Sequence, residues 1–164
     1  MKFLPMLTGL LLASPAAGQS AEPHSVYALR GQCQIFTVGT EDLTSICAGE
    51  VMQVVYTNSR MDLSIWMDDP TGRFFVLSGK ASAEDSNLAL AIDQITEGKD
   101  GSGNNNVDGR GNNNVEVNAS GKCILAGDPT SGPARYTCEA TDAAGKTYQF
   151  AMITDGTAPE NMLD

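Results

Sequence analysis

The chain has 164 residues, 41% of them hydrophobic, and its 20 acidic residues against 10 basic ones give a formal net charge of −10. This length suits a single domain. The acidic balance disfavours nucleic acid and anionic lipid as partners, because both are bound largely through Lys and Arg. The acidic charge is compatible with cationic partners and with metal ions. It is equally compatible with a charge that only keeps the protein soluble.

The N-terminus has the layout of a secretory signal peptide. Lys2 precedes an apolar run over residues 3–13, and small residues follow over 14–18. The run is much shorter than the roughly 20 residues of a membrane-spanning helix. We therefore predict a signal peptide over residues 1–18, cleaved after Gly18 or after Ser20, and a periplasmic or secreted protein without membrane insertion. Removal of residues 1–18 leaves nine basic residues against 20 acidic ones, a formal charge of −11.

Four cysteines, Cys33, Cys47, Cys123 and Cys138, form two local pairs separated by a long gap. In an oxidising compartment they predict two disulfides, for which three connectivities exist. We favour Cys33 with Cys47 and Cys123 with Cys138, because each pairing closes a short loop compatible with a hairpin. A zinc site is not expected, since Cys-x₂-Cys spacing is absent and the single histidine, His24, lies in a predicted flexible leader.

The central part of the chain has the pattern of an all-β protein. Short apolar or alternating runs recur between turn residues at about ten-residue spacing. We predict a leader over residues 19–25, one antiparallel β domain over 26–154 and a tail over 155–164. The domain is expected to be a β-sandwich or small barrel of roughly seven to nine strands with two disulfides.

Individual strands follow from the same pattern. Residues 50–56 and 61–67 flank a polar turn and predict a hairpin, whose second arm alternates and places Trp66 on the polar face. The bulky run over residues 73–77 predicts a strand buried on both faces. Residues 88–95 fit either a strand or a helical stripe, and their β-rich neighbours favour the strand.

Residues 98–121 are rich in Gly and Asn and predict a long loop or an irregular hairpin. Residues 103–108 recur eight positions later, in a form similar to the calcium-binding nonapeptide of repeat-in-toxin proteins. A second calcium template resembles the start of an EF-hand loop, with oxygens at every other position. Its candidate ligands are Asp100, Ser102, Asn104, Asn106 and Asp108. Calcium is the one cofactor that these patterns suggest, but we favour a solvated loop in which Asn and Gly adopt left-handed conformations.

No constellation in the sequence predicts catalysis. A nucleophile would need a positioned base, and His24 is expected outside the fold. The carboxylates of Asp62, Asp68 and Asp69 would suit glycoside hydrolysis only if two of them met at short range, and acids at a turn are usually surface groups. The glycines of the long loop do not form a nucleotide-binding fingerprint. We therefore expect a protein that is not an enzyme and that uses no cofactor unless calcium binds.

Aromatic residues offer a possible binding surface. If the sheet closes into a barrel, Trp66, Tyr56, Phe74 and Phe75 could line a cavity, although core packing is the commoner role. The position of Trp66 on the polar face keeps a binding role open for it.

A six-residue segment, Ser131-Gly132-Pro133-Ala134-Arg135-Tyr136, resembles the Ser-Gly-x-x-Tyr loop of the periplasmic inhibitors of c-type lysozyme, which are small disulfide-bonded β-barrels. The resemblance implies that Ser131 and Tyr136 face a basic lysozyme cleft. The sequence as a whole predicts an exported binding module for a protein or small ligand. The alternatives are a lysozyme-inhibitor-like protein and a calcium-stabilised module.

Overall fold

The computed structural model describes residues 21–99 and 114–163. The predicted signal peptide and residues 100–113 of the predicted loop lie outside this part of the chain. Ten strands and one 3₁₀ helix, Thr44–Ile46, are found in the described ranges. The strands are β1 (Pro23–Val38), β2 (Glu41–Asp42), β3 (Cys47–Tyr56), β4 (Arg60–Met67), β5 (Arg73–Glu84), β6 (Asn87–Lys99), β7 (Val115–Ala126), β8 (Arg135–Asp142), β9 (Thr147–Thr154) and β10 (Glu160–Asn161).

Eight of these strands close into an antiparallel barrel. They pair in the order β1, β3, β4, β5, β6, β7, β8 and β9, and β9 pairs back with β1. The long β1 makes closure possible, because its first half pairs with β3 and its second half with β9. The prediction of an all-β antiparallel fold is confirmed, and of its two forms the structure has the small barrel.

The change of partner along β1 takes place at a glycine. The ladder between β1 and β3 ends at Arg30 and Glu50, and the ladder between β1 and β9 begins at Gly31. A Cβ atom at Gly31 would overlap the backbone carbonyl oxygen of Ile153. The two backbones can therefore approach this closely only because residue 31 lacks a side chain.

Both predicted disulfides are present. Cys33–Cys47 connects β1 to the start of β3, beyond the point where the ladder between these strands ends. Cys123–Cys138 connects directly opposite positions of β7 and β8. Two disulfides are typical of proteins in an oxidising, extracellular compartment. Within residues 21–99 and 114–163, no helix has the length and apolar character needed to cross a membrane.

Side chains fill the inside of the barrel. The ring of Phe36 contacts those of Phe75 and Phe150 edge to face, at centroid distances of 5.0 and 5.6 Å. An eight-stranded barrel is just wide enough for its own side chains to occupy the interior. The largest fully buried side chains are Tyr136, Phe36, Phe75, Phe150, Leu43, Met61, Leu63, Ile65, Leu90, Ile95, Met152 and Val51.

Several strand predictions are confirmed. Residues 50–56 and 61–67 fall in β3 and β4, which form the expected hairpin. Residues 88–95 lie in β6, so the strand is correct and the helical alternative is not. The predicted strand over 73–77 is also present, but Phe74 is only partly buried because an antiparallel barrel strand has one face toward solvent.

Two boundaries differ from the sequence prediction. Strand β1 begins at Pro23, inside the predicted leader, where it pairs with Tyr56 of β3. The predicted loop is shorter than expected, since residues 98–99 and 115–121 belong to β6 and β7. Pairing between these strands, such as Gln94 opposite Asn118, outweighs the weak strand preference of Asn and Gly.

Candidate functional site

Side chains fill the barrel interior in the described part of the chain, and Tyr136 is one of them. It is 1% exposed and donates a 2.7 Å hydrogen bond to the side-chain oxygen of Gln53. Burial raises the pKa of the Tyr136 phenol, so this group stays protonated and acts as a donor. Tyr136 is thus a core residue.

Tyr136 is buried, whereas Ser131, the other residue expected to contact a lysozyme, is exposed. Ser131 is exposed between β7 and β8, and its hydroxyl donates to the Asp128 carboxylate at 3.1 Å. The two side chains therefore do not share a surface. The expectation that both face a protein partner is wrong for Tyr136, because the alternation along β8 turns it inward.

An apolar surface lies on the outside of β3, β4 and β5, and we call it the outer platform. In cross-strand register Trp66 lies opposite Phe74, and Ser64 lies opposite both Val76 and Met52. These five residues point outward, since Ile65 and Phe75 between them are fully buried in the barrel. Of the aromatic residues predicted to line a cavity, only Phe75 faces the interior.

Packing within the outer platform is close. Ser64 has an outward position, yet it is only 7% exposed because larger side chains surround it. The Phe74 ring extends over Gly98 of β6, where a Cβ atom would overlap the ring. A small residue next to an aromatic ring on the neighbouring strand lets the ring lie flat against the sheet. The platform is therefore a continuous apolar surface and not a set of scattered side chains.

A polar network continues the same outer face toward the β3–β4 turn. The hydroxyl of Tyr56 donates to Asp62 at 2.8 Å, and Arg60 donates to both carboxylate oxygens of Asp93 at 2.7 and 2.8 Å. Burial and, secondly, the Asp62 hydrogen bond raise the pKa of Tyr56 to about 12. Arg60 lowers the pKa of Asp93. These groups satisfy one another and present no free nucleophile or base.

Acidic side chains border the platform at its other end, which is the β4–β5 turn. Asp68 and Asp69 lie in the turn that joins Trp66 on β4 to Phe74 on β5. The hydroxyl and N–H of Thr71 donate to Asp69 at 2.6 and 2.7 Å, and the hydroxyl contact is the main cause of a lowered Asp69 pKa. Asp69 is therefore charged at neutral pH.

Further acids border the sides of the platform. Glu116 on β7 pairs with Thr96, which is the outward neighbour of Val76. Glu50 on β3 forms an exposed ion pair with Arg30 at 3.5 Å. Beside the ion pairs of Arg30 with Glu50 and of Arg73 with Glu41, the platform thus has an acidic border formed by Asp68, Asp69 and Glu116.

Two open grooves lie elsewhere on the surface. One, of about 660 Å³, is at the bend of β1 and includes Arg30, Gln32, Glu50 and Asp155. The other, of about 480 Å³, is at the barrel end beside the exposed His24. Both are wide open to solvent, and neither collects groups that suit a particular chemistry.

No metal site is found within residues 21–99 and 114–163, where no three His, Cys, Asp or Glu side chains converge. The calcium candidates Asp100, Ser102, Asn104, Asn106 and Asp108 lie outside the described residues.

The fold and surface define a disulfide-bonded, eight-stranded antiparallel barrel with a filled interior and an apolar outer platform. The chain matches no known protein family, no curated protein and no solved structure. Sequence reasoning placed Trp66 on an outward face, but it assigned Phe74 to a strand buried on both faces and did not single out Val76 or Met52. The run over residues 74–77 is apolar throughout, so the sequence of β5 alone does not separate its partly buried residues from its buried ones.

Proposed function

We propose that this protein is a non-enzymatic, periplasmic or secreted binding module that holds a protein partner on its outer platform. The observation that carries the proposal is the position of Trp66 and Phe74 side by side on the outside of a barrel whose interior is filled. Aromatic residues that form a contiguous apolar surface are characteristic of the centres of protein interfaces.

Three features support a protein partner over a small ligand. The interior is packed with side chains, so a lipocalin-like cavity is not available in the described residues. The outer platform is a broad face on three strands, whereas small molecules bind in concave pockets. Its side chains are also fixed by the sheet and by one another, which lowers the entropy lost on association.

The two alternative functions receive less support. A lysozyme-inhibitor-like mode would need Tyr136 at the surface, and its hydroxyl is bound to Gln53 in the interior. A calcium-stabilised module stays a prediction that depends on residues 100–108. A thermal melt with calcium and with chelator tests it, and a rise in melting temperature with calcium would support it.

Site-specific photo-crosslinking in the producing cells tests the proposed function. A photoreactive amino acid is placed at Thr96, beside Val76 on the platform side, and in a matched variant at Thr137, an exposed outward position of β8. We expect discrete protein adducts from position 96 that are lost when Trp66→Ala is added. Equal adducts from both positions, or none from position 96, would contradict the proposal.

A further inference from the structure

We propose that the partner held on the outer platform is a positively charged protein, whose Lys or Arg side chains reach the acidic border and the face of Trp66. This inference rests on the proposed function and adds the chemistry of the partner. It follows from the charge around the platform, from the pairing of the nearby cations and from the net charge of the chain.

The exposed charges beside the aromatic pair include acids on two sides. Asp68 and Asp69 follow Met67 in the turn to β5, and Glu116 lies on the far side of Thr96. Arg73 precedes Phe74 in the chain, but its side chain is only 16% exposed and pairs with Glu41 at 3.0 Å. Asp68 and Glu116 are exposed, so they can receive a cation from a partner. An apolar centre with acids at its edge is complementary to an apolar patch that is surrounded by Lys and Arg.

The arginines of this outer face already have acidic partners. Arg30 pairs with Glu50 at 3.5 Å, and Arg60 binds both oxygens of Asp93. These ion pairs neutralise Glu50 and Asp93 and leave no excess positive charge. Lys80, opposite Arg60 in the register, lies at the far end of the face from the turn that carries Asp68.

Net charge argues against a second copy of the chain on this surface. Each copy has a formal charge of −10, and apposing two acidic borders would place like charges together. The same charge attracts a basic protein over distances of about a Debye length, which increases the rate of encounter. Trp is also the aromatic side chain that best accepts a Lys or Arg cation over its ring.

Trp66 is the only tryptophan in the chain, so its fluorescence reports directly on the outer platform. The probes are two synthetic heptapeptides, one alternating Lys with Leu and one alternating Glu with Leu, matched in apolar content and free of aromatic residues. We expect the Lys peptide to change the emission of Trp66 saturably and to lose about tenfold in affinity from low to high salt. The Glu peptide should leave the emission unchanged.

Charge variants sharpen the test. Asp68→Asn combined with Glu116→Gln should weaken binding of the Lys peptide several-fold, whereas Glu139→Gln on the outward face of β8 should not. Relative to the quenching of free tryptophan amide by each ion, caesium should quench Trp66 more efficiently than iodide in the unmodified protein, and less so in the double variant. Equal binding of both peptides, preference for the Glu peptide or stronger relative quenching by iodide would overturn the inference.

The outcome is distinguishable from failure of the proposed function. Adducts at position 96 together with a negative peptide result mean that the platform holds a partner of another charge, and this inference is overturned while the proposed function stands. Absence of adducts at position 96 overturns the proposed function itself.

Discussion

The hydroxyl of Tyr136 on β8 and the side-chain oxygen of Gln53 on β3 are 2.7 Å apart inside the barrel, joined by a hydrogen bond between strands that are not neighbours in the sheet. Both residues are buried, at 1% and 6% exposure. Neither group can turn to water if the other is removed. The hydrogen bond therefore links two parts of the barrel wall that are separated by β9 and β1, and it shows that Tyr136 lies on the inward face of β8.

Removal of the Tyr136 hydroxyl should destabilise the protein. Tyr136→Phe leaves the Gln53 oxygen buried and without its donor, which costs about 1–3 kcal/mol in the free energy of unfolding. The double variant Tyr136→Phe/Gln53→Leu should be more stable than the sum of the single effects predicts. Chemical denaturation of the four proteins measures this coupling. Strictly additive effects would show that the two side chains do not interact.

Gly31 should be intolerant of any side chain. In Gly31→Ala the new methyl group would overlap the backbone of Ile153, which cannot move without opening the β1–β9 ladder that closes the barrel. We expect a large fall in melting temperature. Gly132→Ala is the matched control, because a Cβ atom at Gly132 meets nothing within 4 Å. Similar melting temperatures for the two variants would contradict the close approach at Gly31.

The two disulfides should differ in local effect. Their sequence separations are 14 and 15 residues, for which the chain-entropy model gives about 3 kcal/mol each. Replacement of Cys33 and Cys47 by Ala removes the link beyond the end of the β1–β3 ladder, so the Leu43 N–H, bonded to the Phe36 carbonyl, should exchange faster.

Replacement of Cys123 and Cys138 serves as the comparison. These residues lie opposite each other in an intact ladder, so their loss should not accelerate exchange at Leu43. Amide hydrogen exchange under native conditions separates the two cases. Equal acceleration at Leu43 in both double variants would mean that the disulfides do not act locally.

Stability should fall in acid partly through Asp142. The N–H groups of Lys146 and Ala144 donate to its carboxylate at 2.8 and 2.9 Å, and the Lys146 contact is the main cause of its lowered pKa. Because the folded pKa lies below the unfolded value of about 3.9, the stabilisation is fully present above that pH. It is lost as the pH falls through the folded pKa.

The variant Asp142→Asn keeps an oxygen acceptor for the two N–H groups but does not titrate. We expect its melting temperature to decline less steeply than that of the unmodified protein below about pH 4. Melting curves across the acidic range provide the comparison. Identical slopes for the two proteins would show that Asp142 does not contribute to acid unfolding.

Local features of the sequence were sufficient to predict the fold class. The β3–β4 hairpin follows from alternation around a polar turn, and the pairing of Cys33 with Cys47 follows from their short separation. Both depend on residues that are close along the chain. Such interactions are encoded within a short window, which is why sequence reasoning recovers them.

The candidate site depended on information that a short window does not contain. Closure pairs Phe36 of β1 with Phe150 of β9, far apart along the chain, and this pairing turns one face of every barrel strand inward. As a result Tyr136 is in the core and Phe74 is outside, contrary to expectation for both. A single strand sequence does not say which neighbours complete its outer face.

Hydroxyl-radical footprinting tests the central claim that the outer platform is where a partner binds. Oxidation of Met52, Trp66 and Phe74 is measured in the native compartment and in the purified protein, with Ile35 and Met162, which are 46% and 60% exposed, as internal controls. We predict that the three platform residues are protected in the native compartment while the controls are oxidised equally in both. Equal oxidation of the platform residues in both settings, or protection confined to the controls, would contradict the account.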